Sequence, residues 1–339
     1  MFPWFLHKAP MKPRSKRWLA AAVCTVAVCA AALLAQPTTT IRVNVDLVHA
    51  IATVKNQSGQ LVASLQKEDF EVYDNGSHQE IAVFERTTAQ PLSVALLVDI
   101  SGSTAKELKY EGESASRFLR ALLTEGNPDD VVSLYTFNYE VRQIKNFTHN
   151  YKSLEDRLKL LHGEAGTALY DAIYLAARDL EPRDGRKVIV VVTDGGDTFS
   201  KASLHEALDQ AQLANAVIYP IVVLPITNDA GRNVGGENAL KYIADGTGGR
   251  SQYPALGAEL DRALSDIVSE LRTQYLLGFY PLNVPLTKSR FHKLEIRLKR
   301  PELRVSARNG YYGDSEGGSG AAGARTSVTP ERKSKPHER

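Results

Sequence analysis

Cysteine is almost absent from this chain. There are two among 339 residues, Cys24 and Cys29, and both lie inside one N-terminal apolar stretch. With that stretch set apart, no disulfide, thiol nucleophile or cysteine-ligated zinc remains. Histidine offers no substitute. The eight histidines show no ligand spacing, and His205-Glu206 cannot open a His-Glu-x-x-His site because position 209 is Asp. There is also no Gly-x-Ser-x-Gly elbow to carry a serine nucleophile.

Charge of one sign is lacking too. The formal net charge is +2, from 41 Lys and Arg against 39 Asp and Glu. Five of the basic residues (Lys8, Lys12, Arg14, Lys16 and Arg17) precede the apolar stretch, and no acidic residue does. Without them the balance is 36 to 39, a net charge of −3. Such a surface has no electrostatic reason to seek nucleic acid.

One long apolar run exists, Trp18 to Ala35, interrupted only by Thr25. A basic stretch, an apolar stretch and a small residue before Gln36-Pro37 form an export-signal pattern, with Leu33 standing where a small residue is preferred. Initiation at Met11 would give a more usual signal length. An uncleaved anchor is the other reading, since about 18 residues is the lower limit for a spanning helix. Either way the chain is expected outside the cytoplasm, periplasmic, secreted or at the cell surface, and any membrane contact is expected through this segment alone.

Three textures follow. Residues 40–87 read as strands. Ile41-Arg-Val-Asn-Val-Asp-Leu-Val alternates apolar and polar, and Phe70-Glu-Val-Tyr and Ile81-Ala-Val-Phe flank an Asp74-Asn-Gly-Ser turn as a hairpin. Residues 88–272 alternate buried strands with amphipathic helices. Ser93–Val98, Val131–Phe137, Val188–Val192 and Ala216–Val223 are strands, and Ala115, Phe118, Leu119 and Leu122 share a helix face. Further helices are expected over 168–180, 238–244 and 260–271, and Ser203-Leu-His-Glu206 is a capping box. That alternation predicts an α/β class, a doubly wound and mainly parallel sheet. Residues 273–313 return to strands: Tyr275–Tyr280, His292–Leu298 with Leu294, Ile296 and Leu298 on one face, and Arg304–Arg308. Neither flank has enough strands for a core of its own, so the two are expected to combine into one small β-sandwich with the α/β domain inserted between them. Residues 314–339 have the composition of a disordered tail, and no internal repeat is present.

The chemistry gathers after the buried strands. Asp99-Ile-Ser101-Gly-Ser103 follows the first, Thr193-Asp194-Gly-Gly follows Val188–Val192, and Thr167 opens a helix. Ligands of open α/β sheets bind outside the carboxyl ends of the strands. The candidate donors Asp99, Ser101, Ser103, Thr167 and Asp194 are all oxygens, which suits a hard cation, Mg²⁺ first with Mn²⁺ or Ca²⁺ as alternatives, and not Zn²⁺. Asp197, Glu164 and Asp171 read as solvated loop residues, and Tyr275, Phe279, Tyr280, Tyr311 and Tyr312 as strand core.

Asp-x-Ser-x-Ser, a distant Thr and a distant Thr-Asp-Gly together resemble the metal-ion-dependent adhesion site of von Willebrand factor A domains. Asn127-Pro-Asp-Asp-Val-Val-Ser-Leu-Tyr-Thr-Phe resembles the third-strand region of that family. The resemblance implies that Ser101, Ser103 and Thr167 touch the ion, that Asp99 and Asp194 act largely through water, and that a protein partner completes the coordination with an Asp or Glu carboxylate. Val45-Asp-Leu-Val, Lys67 to Gly76, Tyr275 to Pro281 and Phe291 to Ile296 are similar to the VWFA-related proteins best known from Acidobacteria. The expectation is a non-enzymatic exported protein for metal-dependent protein binding or adhesion. The alternatives are a metal-stabilised envelope scaffold and a metal-dependent hydrolase.

Overall fold

The computed structural model describes residues 47–86, 90–102, 108–163, 165–223, 233–282 and 291–313. The N-terminal segment 1–35, residues 41–46 of the first expected strand, Ser103, Glu164 and the tail from Asp314 lie outside the described residues. Among the described residues no helix is long and apolar enough to cross a membrane.

In chain order the N-terminal flank supplies β1 (Val48–Lys55), β2 (Phe70–Asp74), β3 (Ser77–Gln79) and β4 (Ile81–Arg86). The α/β region follows with β5 (Leu92–Asp99), α1 (Leu108–Thr124), β6 (Val131–Phe137), β7 (Val141–Thr148), α2 (Tyr151–Leu158), α3 (Leu169–Leu180) and β8 (Arg186–Thr193). It continues through α4 (Leu204–Leu213), β9 (Ala216–Val222), α5 (Val234–Thr247) and α6 (Ala258–Leu271). The C-terminal flank gives β10 (Tyr275–Phe279), β11 (Phe291–Leu298), β12 (Arg304–Ala307) and β13 (Gly310–Tyr312).

Every residue of β5 is buried, as a strand covered on both faces requires. It is the centre of a five-stranded sheet ordered β7-β6-β5-β8-β9, parallel except for β7. Its side chains alternate between two cores. Val94, Leu96 and Val98 pack with Phe118 and Leu119 of α1 and Leu264 and Ile267 of α6. Ala95 and Leu97 pack with Ile173 and Ala176 of α3, Ala211 of α4 and Ile243 of α5. From β5 the chain winds outward to β6 over one face, then returns to β8 and winds the other way. The strand order therefore reverses between β5 and β8, and such a switch point opens a crevice at the strands' carboxyl ends.

Each of the two smaller sheets draws strands from both flanks. One runs β12-β1-β10-β4 and the other β13-β11-β2-β3. Their facing sides share one core, including Ala52 and Val54 of β1, Val72 of β2, Tyr275 and Phe279 of β10 and Ile296 of β11. The α/β region is thus inserted into an antiparallel two-sheet sandwich.

The expected hairpin is corrected in one respect. Asn75 and Gly76 have φ of 46° and 83°, the paired left-handed geometry of a two-residue turn. Asp74 therefore faces Ser77 directly, and β3 is the hairpin partner of β2. Ile81–Phe84 belongs instead to β4, which pairs with β10 in the facing sheet. There Phe84 lies 5.8 Å from both Phe70 and Tyr275, ring centre to ring centre, so an apolar strand covers the core across the sandwich. Of the five flank aromatics expected in the core, Tyr275, Phe279 and Tyr311 are buried, while Tyr280 and Tyr312 are exposed.

A buried polar seam joins the sandwich to the α/β region. Glu270, near the end of α6, accepts from Lys55 at 2.7 Å and Arg250 at 3.3 Å. Gln274 donates to Thr53 at 3.0 Å and to Tyr219 at 2.8 Å, and accepts from Arg186.

Candidate metal centre at the carboxyl edge of the central sheet

Asp99 is the last residue of β5 and is fully buried. Both of its oxygens are held. Oδ1 accepts from the Ser101 amide at 2.8 Å, and Oδ2 accepts from the Thr193 hydroxyl at 2.6 Å. The second bond follows from register: Val98 lies opposite Val192, so the next residues, Asp99 and Thr193, are neighbours across the switch point. Thr193 Oγ1 accepts in turn from the Gly195 amide at 3.1 Å, which fixes the turn that carries Asp194. The Asp99 carboxyl has its pKa pushed up to about 6, first by burial and further by the Asp194 charge, against the hydrogen bonds from Thr193 and Ser101.

Thr167 arrives by a different route. It is buried and lies just ahead of α3, whose N-cap Ala168 has no side-chain acceptor to offer. The first amides of a helix need partners, and neighbouring loops supply them. Ala168 N donates to the Asn138 carbonyl at 2.5 Å, Tyr170 N to Asp197 Oδ1 at 3.3 Å, and Asp171 N to Ser200 Oγ at 3.0 Å. The Thr167 amide donates to Thr198 Oγ1 at 3.1 Å, and its carbonyl accepts from the amides of Thr198 and Phe199 at 2.9 and 3.0 Å. The loop after β8 therefore grips the Thr167 segment and presents Asp194 at its own start.

These contacts correct the reading of Asp197 and Asp171 as solvated loop residues. Asp197 also accepts from Ser200 Oγ at 2.5 Å, and Asp171 accepts from the amides of Lys201 and Ala202. Each closes a loop onto a helix start. The Ser203–Glu206 capping box forms as expected, with Glu206 N to Ser203 Oγ at 3.2 Å and Ser203 N to Glu206 Oε2 at 2.8 Å, and this accounts for His205-Glu206 without a metal.

Glycine sets the rim's shape. Gly166 has φ +86°, and a Cβ there would lie 2.9 Å from Tyr139 Cβ. A Cβ on Gly236, in the first turn of α5, would fall 1.4 Å from the Gly195 carbonyl oxygen. Helix α5 thus rests directly on the turn after β8.

Of the five candidate donors, Asp99 ends β5, and Ser101, Thr167 and Asp194 are carried by loops at this edge. The fifth, Ser103, lies outside the described residues. Among the described residues no group of three or more His, Cys, Asp or Glu could hold a metal ion. The candidate donors are two carboxylates and hydroxyls, whose chemistry suits a hard cation. Thr193 and Thr198 were missed by sequence reasoning. Thr193 stood inside the Thr-Asp-Gly motif, and its hydroxyl at a strand end was the available signal; Thr198 had none.

Residues 93–260 match the family model described as von Willebrand factor type A domain. Among solved structures, the chain is similar to the conserved hypothetical protein BatB from Bacteroides thetaiotaomicron, with 22% identity, 53% of this chain and 98% of that one covered, and a TM-score of 0.43. It is similar to the vWF domain of the type V pili tip protein Mfa5 from Porphyromonas gingivalis, with 15% identity, 53% and 95% covered, and a TM-score of 0.46. It is also similar to the pilus adhesin SpaC from Lactobacillus rhamnosus GG in its open conformation, with 9% identity, 71% and 47% covered, and a TM-score of 0.45. No curated protein matches the sequence.

Proposed function

Because residues 93–260 form a von Willebrand factor type A domain, we propose that the chain is an exported, non-enzymatic protein that binds a protein partner through one divalent cation. The observation that carries this reading is Asp99. It is a buried carboxylate at the sheet's switch point, oriented on both oxygens by Ser101 and Thr193 and set within reach of the Asp194 charge. Two such carboxylates repel each other unless a cation is shared between them.

Ser101, Ser103 and Thr167 would hold the ion directly, and Asp99 and Asp194 would act largely through water. Mg²⁺ fits the all-oxygen set best, with Mn²⁺ and Ca²⁺ as alternatives. A bound ion would supply a positive centre, for which an Asp or Glu carboxylate of the partner would be the complementary ligand. Among these side chains the Asp99 carboxylate is fixed on both oxygens, by the Ser101 amide and the Thr193 hydroxyl. The export reading rests on residues 1–35 and their basic-then-apolar pattern.

The test is a thermal melt of wild type and Asp99→Ala, in chelator and then with Mg²⁺, Mn²⁺ or Ca²⁺ at millimolar concentration. A ligand that binds the folded state alone raises the melting temperature. Wild type is expected to shift upward while Asp99→Ala stays folded and does not shift. A well-folded wild type that ignores all three ions would return the protein to the scaffold reading.

A further inference from the structure

Two large aromatic side chains stand in solvent beside the candidate centre. Tyr139 is 46% exposed and Phe199 is 59% exposed, and their rings meet edge to face with centroids 6.3 Å apart. Their position follows from the loops already described. Phe199 donates its amide to the Thr167 carbonyl at 3.0 Å. Tyr139 follows Asn138, whose carbonyl accepts from Ala168 N, and its Cβ packs beneath Gly166, where only a glycine leaves room. The backbone that carries each ring is therefore fastened to the segment around Thr167, one from the loop after β6 and one from the loop after β8.

Isolated exposed aromatics are ordinary on protein surfaces. A ring pair whose backbone is tied to the segment around a candidate ligand residue is a different arrangement. The backbone beneath both rings is already held by the loops, and each ring has only two side-chain torsions to fix, so a partner can cover the pair at modest entropic cost; aromatic residues of this kind dominate protein interfaces.

We propose that Tyr139 and Phe199 form an apolar recognition step contiguous with the metal centre, selecting partners whose metal-binding Asp or Glu is adjacent to an aromatic or large aliphatic side chain. This rests on the metal-dependent reading above and specifies the partner's chemistry. The carboxylate gives affinity for the ion, which every acidic segment shares. The neighbouring apolar side chain, buried against the ring pair, gives discrimination among acidic segments.

The experiment uses the full chain and four synthetic peptides displayed densely on a sensor surface. In each a central Asp is set in Gly and Ser, with the adjacent residue Gly, Leu, Phe or Lys. Binding is read with Mg²⁺ and with chelator. Dense display raises the local peptide concentration, so that rebinding makes weak single contacts measurable. Expected are Mg²⁺-dependent signals in which the Phe and Leu peptides bind about tenfold tighter than the Gly peptide, the worth of one partly buried apolar side chain. Phe199→Ala is expected to collapse that ratio and Phe199→Leu to restore most of it. Tyr280→Ala, an exposed aromatic of the sandwich, should leave the ratio as it is. Equal Mg²⁺-dependent binding of the Gly and Phe peptides, a preference for Lys, or a preference that survives Phe199→Ala would overturn the inference while leaving the metal-dependent reading intact. Absence of Mg²⁺-dependent binding to every peptide would overturn both.

Discussion

The Thr193 hydroxyl donates to Asp99 Oδ2 at 2.6 Å across two neighbouring parallel strands. This bond joins the two motifs that lie farthest apart in the α/β region and spans the point where the sheet reverses its winding. Together with the Ser101 amide, it keeps a fully buried carboxylate in one orientation.

Holding Asp99 there has a cost that pH can reveal. Its pKa is 3.8 ordinarily and about 6 in the fold, so between those values the folded chain binds more protons than the unfolded one. Metal-free stability should therefore fall as pH rises from about 4 to 6, with the whole penalty present above that window. Asp99→Asn, in chelator, is expected to be more stable than wild type at pH 7.5, by on the order of 2 kcal/mol, and to gain little at pH 4. Urea denaturation at both values checks this. Equal stability of the two proteins at pH 7.5 would contradict it.

Gly236→Ala probes the contact that seats α5. The new methyl would overlap the Gly195 carbonyl, so the helix or the turn carrying Asp194 must move. A loss of about 1–3 kcal/mol is expected, as for other overpacked sites, together with a weaker thermal response to Mg²⁺. Gly257, whose Cβ would meet nothing within 4 Å but whose φ is +81°, supplies the comparison. Ala there strains the backbone without touching the rim, so the Mg²⁺ response should survive.

Removing Glu270 tests the seam between sandwich and α/β region. The carboxylate is buried, whereas Lys55 and Arg250 retain access to water. Glu270→Ala should cost about 2 kcal/mol, below the full penalty of a broken buried pair because both cations can turn outward. Thermal or urea unfolding measures it. The Mg²⁺ shift is expected to persist, since Glu270 lies near the end of α6, away from the carboxyl edge of the sheet.

Truncation after residue 272 removes β10 to β13. β1 then loses both of its partners and β2 loses β11. The N-terminal flank should become rapidly cleaved by trypsin while the α/β region resists. A protected N-terminal flank in that fragment would mean that the sandwich does not depend on both ends of the chain.

The sequence by itself determined the elements and the chemistry of the edge. Nearly continuous apolar runs such as Ser93–Val98 and Val188–Val192 are what strands covered on both faces require, and helical spacing of Ala115, Phe118, Leu119 and Leu122 marks one buried side. Oxygen-only candidate donors after those strands are the chemistry that would suit the hard cation proposed as their ligand. Elements with weaker periodicity were not legible. β7 has a mixed burial pattern because it is an antiparallel edge strand, and α2 is a short helix that buries only Leu154 and Leu158. Local pattern also misassigned the partner of β2, since two neighbouring apolar strands can lie side by side or face each other, and only the completed core decides between them.

Tertiary structure alone decided strand order, and with it which loops meet. Asp99, Thr167 and Asp194 are separated by dozens of residues, and nothing local says that β5 and β8 are adjacent. Pairing across the switch point brings Thr193 onto Asp99, and helix α3's need for partners draws in Thr198, Asp197 and Ser200. The same loop contacts place Tyr139 and Phe199 on either side of Thr167. Composition sets what each residue can do, whereas proximity is a property of the whole sheet, because every hydrogen bond that joins these loops spans residues distant in the chain.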